Sequence, residues 1–174
     1  MFGISYFKGQ PSHYIQKYTG GVKRQSGQGL SFFYFPFQTQ IVAVPTQSID
    51  QPFVFNDISR DYQTVSVQGQ VTYRISDPEK AAALLNLAID PKTGQHVTED
   101  LRVLGQRIVN MLQIATHEEV ESRTLEACIR ESQAIGTAVS DRAIANESRR
   151  SVGGEILGLL SLSVRPSAVR YQAL

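Results

Sequence analysis

Hydrophobic and polar positions change rhythm near residue 77. In residues 64–75, TVSVQGQVTYRI, the set Val65, Val67, Gly69, Val71, Tyr73 and Ile75 alternates with Thr64, Ser66, Gln68, Gln70, Thr72 and Arg74. A period of two sends the sets to opposite faces and predicts an antiparallel strand with one face buried and one wet. Shorter strands are predicted upstream. HYIQKY (13–18) is followed by Gly20-Gly21, VKRQ (22–25), a turn-rich SGQG (26–29), the aromatic SFFYFPF (31–37), TQIVAV (39–44) closed by Pro45, and FVF (53–55) closed by Asn56-Asp57.

After Asp77 the spacing becomes helical. Asp77 is a good N-cap and Pro78 a good first-turn residue, so PEKAAALLNLAI (78–89) is predicted to be a helix that stops before Asp90-Pro91. Thr98 precedes Leu101, Leu104, Ile108, Met111, Leu112 and Ala115, which line one helical face. In THEE (116–119), Thr116 and Glu119 have the spacing of a capping box for another helix. Leu125, Ile129, Ile135, Val139 and Ile144 predict one longer amphipathic helix ending before Gly153-Gly154. EILGLLSLSV (155–164), set between Gly154 and Pro166, reads as a buried strand returning to the sheet. Strands, then three or four helices, then one strand predict an α+β fold: a curved, largely antiparallel sheet with three or four packed helices.

Composition adds limits. At 174 residues, 41% hydrophobic and 19% charged, the chain has enough apolar material for one ordinary domain, or for two small subdomains sharing a sheet, and no disordered character. Its single cysteine, Cys128, lies in a helical pattern with Leu125 and Ile129, as expected of a buried, inert thiol in a reducing compartment. The most apolar run, ILGLLSLSV (156–164), falls well short of the roughly 18 residues of a membrane-spanning helix. The opening MFGISYFKGQ lacks the features of a signal peptide. The net charge of +1 conceals an asymmetry, because Lys8, Lys17, Lys23 and Arg24 precede the first acid, Asp50. This basic pole is suited to an anionic surface.

Candidate chemistry is sparse. His13, His96 and His117 lie in different elements without a second ligand at metal-binding spacing, and no nucleophile elbow, phosphate-binding glycine loop or dinucleotide fingerprint is present. The expectation is a non-enzyme with no catalytic, cofactor or metal site. Aromatic residues beside Lys23 and Arg24 leave a single-stranded nucleic-acid binder as a lesser alternative. Near-zero net charge and the lack of an RNA-recognition pattern weigh against that binder, and no nucleic-acid partner is expected.

Three passages together resemble a known family. YIQKYTGGVKRQSGQGLSFFYFPFQTQIVAVPTQSIDQPF, then SRDYQTVSVQGQVTYRISDPEKA, then a helix followed by Gly153-Gly154 and EILGLLSLSVRPS are similar to the band 7, or SPFH, domain of stomatin, prohibitin, flotillin and HflK/HflC. The resemblance covers residues 13–170. It leaves residues 1–12 as an N-terminal segment suited to membrane contact, and 171–174 as the start of a helical, coiled-coil extension. Many members carry a membrane anchor before the domain and a long coiled coil after it, so either this chain is a piece of a longer protein, the favoured expectation, or its self-assembly is weaker than is usual in the family. The resemblance implies a membrane-associated scaffold, peripheral on the cytoplasmic face, that forms a homo-oligomeric ring or cage and organises membrane proteins or lipid microdomains. Implied partners are membrane lipids, other copies and, by analogy, a membrane protease or an NfeD-like protein.

SFFYFPF is where this expectation becomes specific. On a strand, either Phe33 and Phe35, or Phe32, Tyr34 and Phe37, face the core. The other face carries large apolar side chains that need a partner. The resemblance implies an apolar rim in the interfacial layer of a bilayer, with Phe2, Ile4, Phe7, Phe32, Phe33, Phe35 and Phe37 as candidate contacts, Tyr6 at headgroup level, and Lys8, Lys23 and Arg24 as the cations. The alternative is a soluble protein-interaction module in which the aromatic stretch is core and the polar face of 64–74 meets a protein partner.

Overall fold

The structure is a computed structural model that describes residues 3–150 and 154–167, without the side chains of 147–150, 154 and 158–161. Among the described residues, nine strands and four helices follow in the order β1 (Ser5–Lys8), β2 (His13–Thr19), β3 (Val22–Gln28), β4 (Ser31–Tyr34), β5 (Thr39–Pro45), β6 (Ile49–Ile58), β7 (Thr64–Ile75), α1 (Pro78–Leu84), β8 (Ala88–Ile89), α2 (Asp100–Glu121), α3 (Leu125–Arg130), α4 (Ser132–Arg150) and β9 (Gly154–Pro166). The α+β class holds. The strands divide among three sheets, β1-β4, β3-β2-β5-β8 and β6-β7-β9, rather than forming one, and every register resolved between them is antiparallel.

The chain forms two compact units. The first contains the strands up to Ser48 with Arg74–Leu104 and Glu155, and the second contains Ile49–Tyr73 with the described residues from Gly105 to Arg150 and from Ile156 onward. In the first unit, β2 and β3 are joined through Gly20 and Gly21 at φ 60° and 79°, the left-handed geometry that tight hairpin turns require of glycine. The predicted SGQG turn is instead ladder up to Gln28, which pairs with Tyr14, and the chain turns at Gly29 with φ 63°. The core of this unit gathers Phe7, Ile15, Phe32, Tyr34, Ile41, Ala43 and Ile89, with Leu30 packed against them.

The helix predicted over 78–89 ends early. Asp77 caps it, its carboxylate accepting from Lys80 N at 3.0 Å, but Leu85 is already extended. Residues 88–89 pair with β5, Ile41 with Ile89 and Val42 with Ala88, and Ala43 N–H donates to Leu87 O. Joining a buried sheet overrides the helix propensity of LLNLAI, because Leu87, Ala88 and Ile89 are all buried there.

In the second unit, β7 has the predicted bounds and buries Val65, Val67, Val71 and Tyr73. The short FVF strand proves to be the ten-residue β6, in register with β7 from Ile49–Tyr73 to Ile58–Thr64. Pro52 is tolerated because β6 is an edge strand. The returning strand near the C-terminus is β9, beside β7.

The capping box at 116–119 is not one. Thr116 and Glu119 lie inside α2 and are buried. Glu119 bonds Arg123 Nη1 at 2.5 Å and Arg142 Nη2 at 2.8 Å, and Arg123 also reaches Glu131 at 3.3 Å. A buried carboxylate shared by two guanidinium groups explains a Glu that sequence spacing assigned to a helix start. The predicted long helix is two, α3 capped by Thr124 and α4, separated by Glu131. Its buried face is Cys128, Ile135, Val139 and Ala143, whereas Ile129 and Ile144 are exposed. The stop signal at Gly153 lies outside the described residues, as do 171–174 of the expected helical extension.

Two expected outcomes follow from the packing. Leu112 is fully buried on α2 and Ile114 is 65% exposed. Leu112→Ala should lower unfolding free energy by about 2–5 kcal/mol in denaturant titration, and Ile114→Ala by less than about 0.5.

The second concerns pH. His13 is held below its ordinary 6.5 by burial and then by the charge of His96; His96 is held below 6.5 by burial, partly offset by a backbone hydrogen bond with Leu87. Both lowered values favour the neutral rings in the folded unit, so the unfolded chain binds more protons as pH falls. Their stabilisation is complete above the unfolded value of 6.5 and is lost as pH drops through the lowered folded values. The denaturation midpoint should therefore fall between about pH 7.5 and about pH 5, and the His13→Gln, His96→Gln double variant should flatten that slope.

Candidate functional site: an exposed aromatic face

The first sheet is a two-stranded ribbon in which Ser5, Tyr6, Phe7 and Lys8 oppose Tyr34, Phe33, Phe32 and Ser31. Alternation settles which aromatic residues go where. Phe7, Phe32 and Tyr34 turn inward and are buried, with the Phe7 and Phe32 rings 5.5 Å apart. Tyr6 and Phe33 turn outward, their centroids 5.0 Å apart, and Lys8 shares their face.

The chain then bends through Phe35–Gln38, where Gln38 N–H and Thr39 N–H both donate to Phe35 O. Phe35 and Phe37 are left exposed, Phe37 at 81%. Together with Ile4, Tyr6 and Phe33 they make five large apolar side chains, each more than half exposed. Phe35, Pro36, Phe37 and Gly3 also line a small recess of about 240 Å³.

Two residues that sequence reasoning missed hold this ribbon. Lys17 on β2 donates to Phe33 O at 2.9 Å, and its ammonium lies 4.6 Å from the centroid of the Phe32 ring. Gly9 donates to Leu30 O at 3.0 Å and to Ser31 Oγ at 3.2 Å, and a Cβ there would lie 2.2 Å from Leu30 O. Neither role has a local signal, because the hydrogen bonds reach 16 residues along the chain from Lys17 to Phe33 and 22 from Gly9 to Ser31.

The structure separates the other candidate contacts. Phe7 and Phe32 are core residues, so they reach no external surface while the unit is folded. Lys23 binds Glu79 at 3.0 Å, which also accepts from Tyr14 OH; the pairing holds the Lys23 ammonium above its usual range and the Glu79 carboxyl below its own. Arg24 is exposed and lines an open depression of about 700 Å³ with Phe37 and the Gly20-Gly21 turn. Phe2 lies outside the described residues.

Residues 8–172 match the family described as SPFH domain / Band 7 family. The chain belongs to this family. No curated protein matches it significantly. The Band 7 family is membrane-associated, and its members generally oligomerise and act as non-enzymatic scaffolds. Among the described residues no helix is long and apolar enough to cross a membrane. Elsewhere in the Band 7 domain, Cys128 is buried, with its thiol pushed up by burial. The polar face of 64–74 is half-buried over most of its length, with Thr72 donating to Asp50 and Arg74 paired with Glu155.

Lys17→Met should loosen β4 without unfolding the domain. Loss of a charged hydrogen bond and a cation–π contact is expected to cost about 1–2 kcal/mol, read as faster amide exchange at Phe32–Tyr34. Gly9→Ala should be more disruptive because the obstruction is backbone.

Proposed function

We propose that this Band 7 domain is a non-enzymatic scaffold that rests on the cytoplasmic face of a membrane through the outward side of its first ribbon. It assembles with copies of itself to organise membrane proteins or lipid microdomains. The observation that carries this reading is the exposed set Ile4, Tyr6, Phe33, Phe35 and Phe37. So many large apolar side chains on one small unit are unusual for a surface that meets only water. Lys8 and Arg24 are the exposed cations nearest to them by strand and by cavity, suited to an anionic headgroup layer.

Magnitude ties attachment to assembly. Full burial of a Phe is worth about 1.5–3 kcal/mol, interfacial burial less, and a basic residue near an anionic leaflet about 1. One copy is therefore attached weakly and reversibly. Copies joined together bind as one body with high effective concentration. Exposed Val54 and Ile58 on the edge strand β6 support contact between copies. A membrane protease or an NfeD-like protein is the client suggested by family analogy alone.

Co-sedimentation with anionic and neutral vesicles tests the reading. The variant carrying Phe33→Ser, Phe35→Ser and Phe37→Ser should keep its circular dichroism spectrum and lose on the order of a hundredfold in partitioning, about 1 kcal/mol for each ring. Phe32→Ser should instead disturb the fold. Undiminished partitioning of the folded triple variant, or no partitioning by the parent chain, would overturn membrane attachment.

A further inference from the structure

Phe37 stands between two different recesses. On one side, the pocket of about 240 Å³ is walled by Gly3, Phe35 and Pro36. On the other, the depression of about 700 Å³ is walled by Tyr18, Gly20, Gly21 and Arg24. Phe37 and Gln38 line both. The two loops that form them are fastened together, since Gly20 N–H donates to Gln38 O at 3.2 Å.

The larger depression is electrostatically one-sided. Among the described residues Arg24 is the one charged residue in its lining, and the sequence has no acid before Asp50. Glu79, which pairs with the basic pole, is engaged by Lys23 and Tyr14. A guanidinium presents a planar fork of donors matched to phosphate oxygens. The Gly20-Gly21 turn contributes a wall of bare backbone, and a Cβ at either glycine would meet nothing within 4 Å, so the mouth is open.

We propose that this depression seats the net-negative headgroup of an anionic phospholipid, with Arg24 pairing with its phosphate and carboxylate oxygens and the lipid's apolar part lying across Phe37 toward Phe35. A zwitterionic headgroup, whose phosphate is balanced by its own ammonium, is held less well. The proposal rests on the membrane reading above and names the ligand class for it. A free phosphate would use Arg24 alone. The adjoining apolar recess, sharing Phe37, is what selects a lipid.

The test uses amide and guanidinium NMR signals of the intact chain titrated with short-chain phosphatidylserine below its micelle concentration, phosphatidylcholine of the same chain length, and inorganic phosphate. Phosphatidylserine should shift Gly20, Gly21, Gln38 and the Arg24 side chain saturably, more strongly than either comparison probe. Arg24→Ala should weaken this binding by about fivefold, the loss of about 1 kcal/mol for one cation. Phe37→Ser should also weaken it, while leaving the spectrum folded. Equal binding of phosphatidylcholine, or an unchanged affinity in Arg24→Ala, would overturn the site. Equal saturation by inorganic phosphate would make it a free-anion site and overturn the lipid assignment. Monomeric lipid requires no bilayer, so success here alongside failure on vesicles would overturn membrane attachment and leave the headgroup site standing.

Discussion

Successive side chains of a strand point to opposite faces, and a two-stranded ribbon laid on a core can bury only one of them. The sequence SFFYFPF cannot escape this constraint. Once Phe32 and Tyr34 enter the core with Phe7, Phe33 is turned outward beside Tyr6, and the bend that follows leaves Phe35 and Phe37 exposed as well. The core of the first unit and its apolar exterior are two consequences of one geometry. A polar residue at position 33 would have relieved the exposure without cost to the core.

The ribbon is held from beneath by contacts that join strands distant in sequence. Lys17 reaches from β2 to the Phe33 carbonyl and over the Phe32 ring, and Gly9 lets the backbone approach Leu30. Both fix the strand that carries the exposed rings. Lys23, tied to Glu79, ties β3 to α1 instead. The basic pole of the first 49 residues is thus divided: two lysines serve the fold, and Lys8 and Arg24 stay at the surface. A charge count alone overstates what such a pole offers to a partner.

The second unit relies on the same kind of distant pairing, with charge in place of aromatic rings. Glu119 is buried on α2 and is met by Arg123 at the helix end and by Arg142 from α4. Such a carboxylate is tolerable in the interior because both its oxygens have cationic partners. On β6 the outward residues Val54 and Ile58 remain exposed, a smaller version of the apolar face on the first unit.

Local pattern was sufficient wherever one element answers to one periodicity. The alternation of 64–75, the 3.6-residue spacing from Leu104 to Ala115, the Asp77 cap and the Gly20-Gly21 turn are all found where the sequence puts them. The family was also legible, because order and spacing of these elements survive in a linear string. Tertiary structure alone decided the rest. It chose which set of rings in SFFYFPF is core, made a strand of Ala88–Ile89, placed Glu119 between two arginines, and set Arg24 beside Phe37. Each of these depends on a partner that is remote along the chain, and periodicity carries no information about what a face will meet.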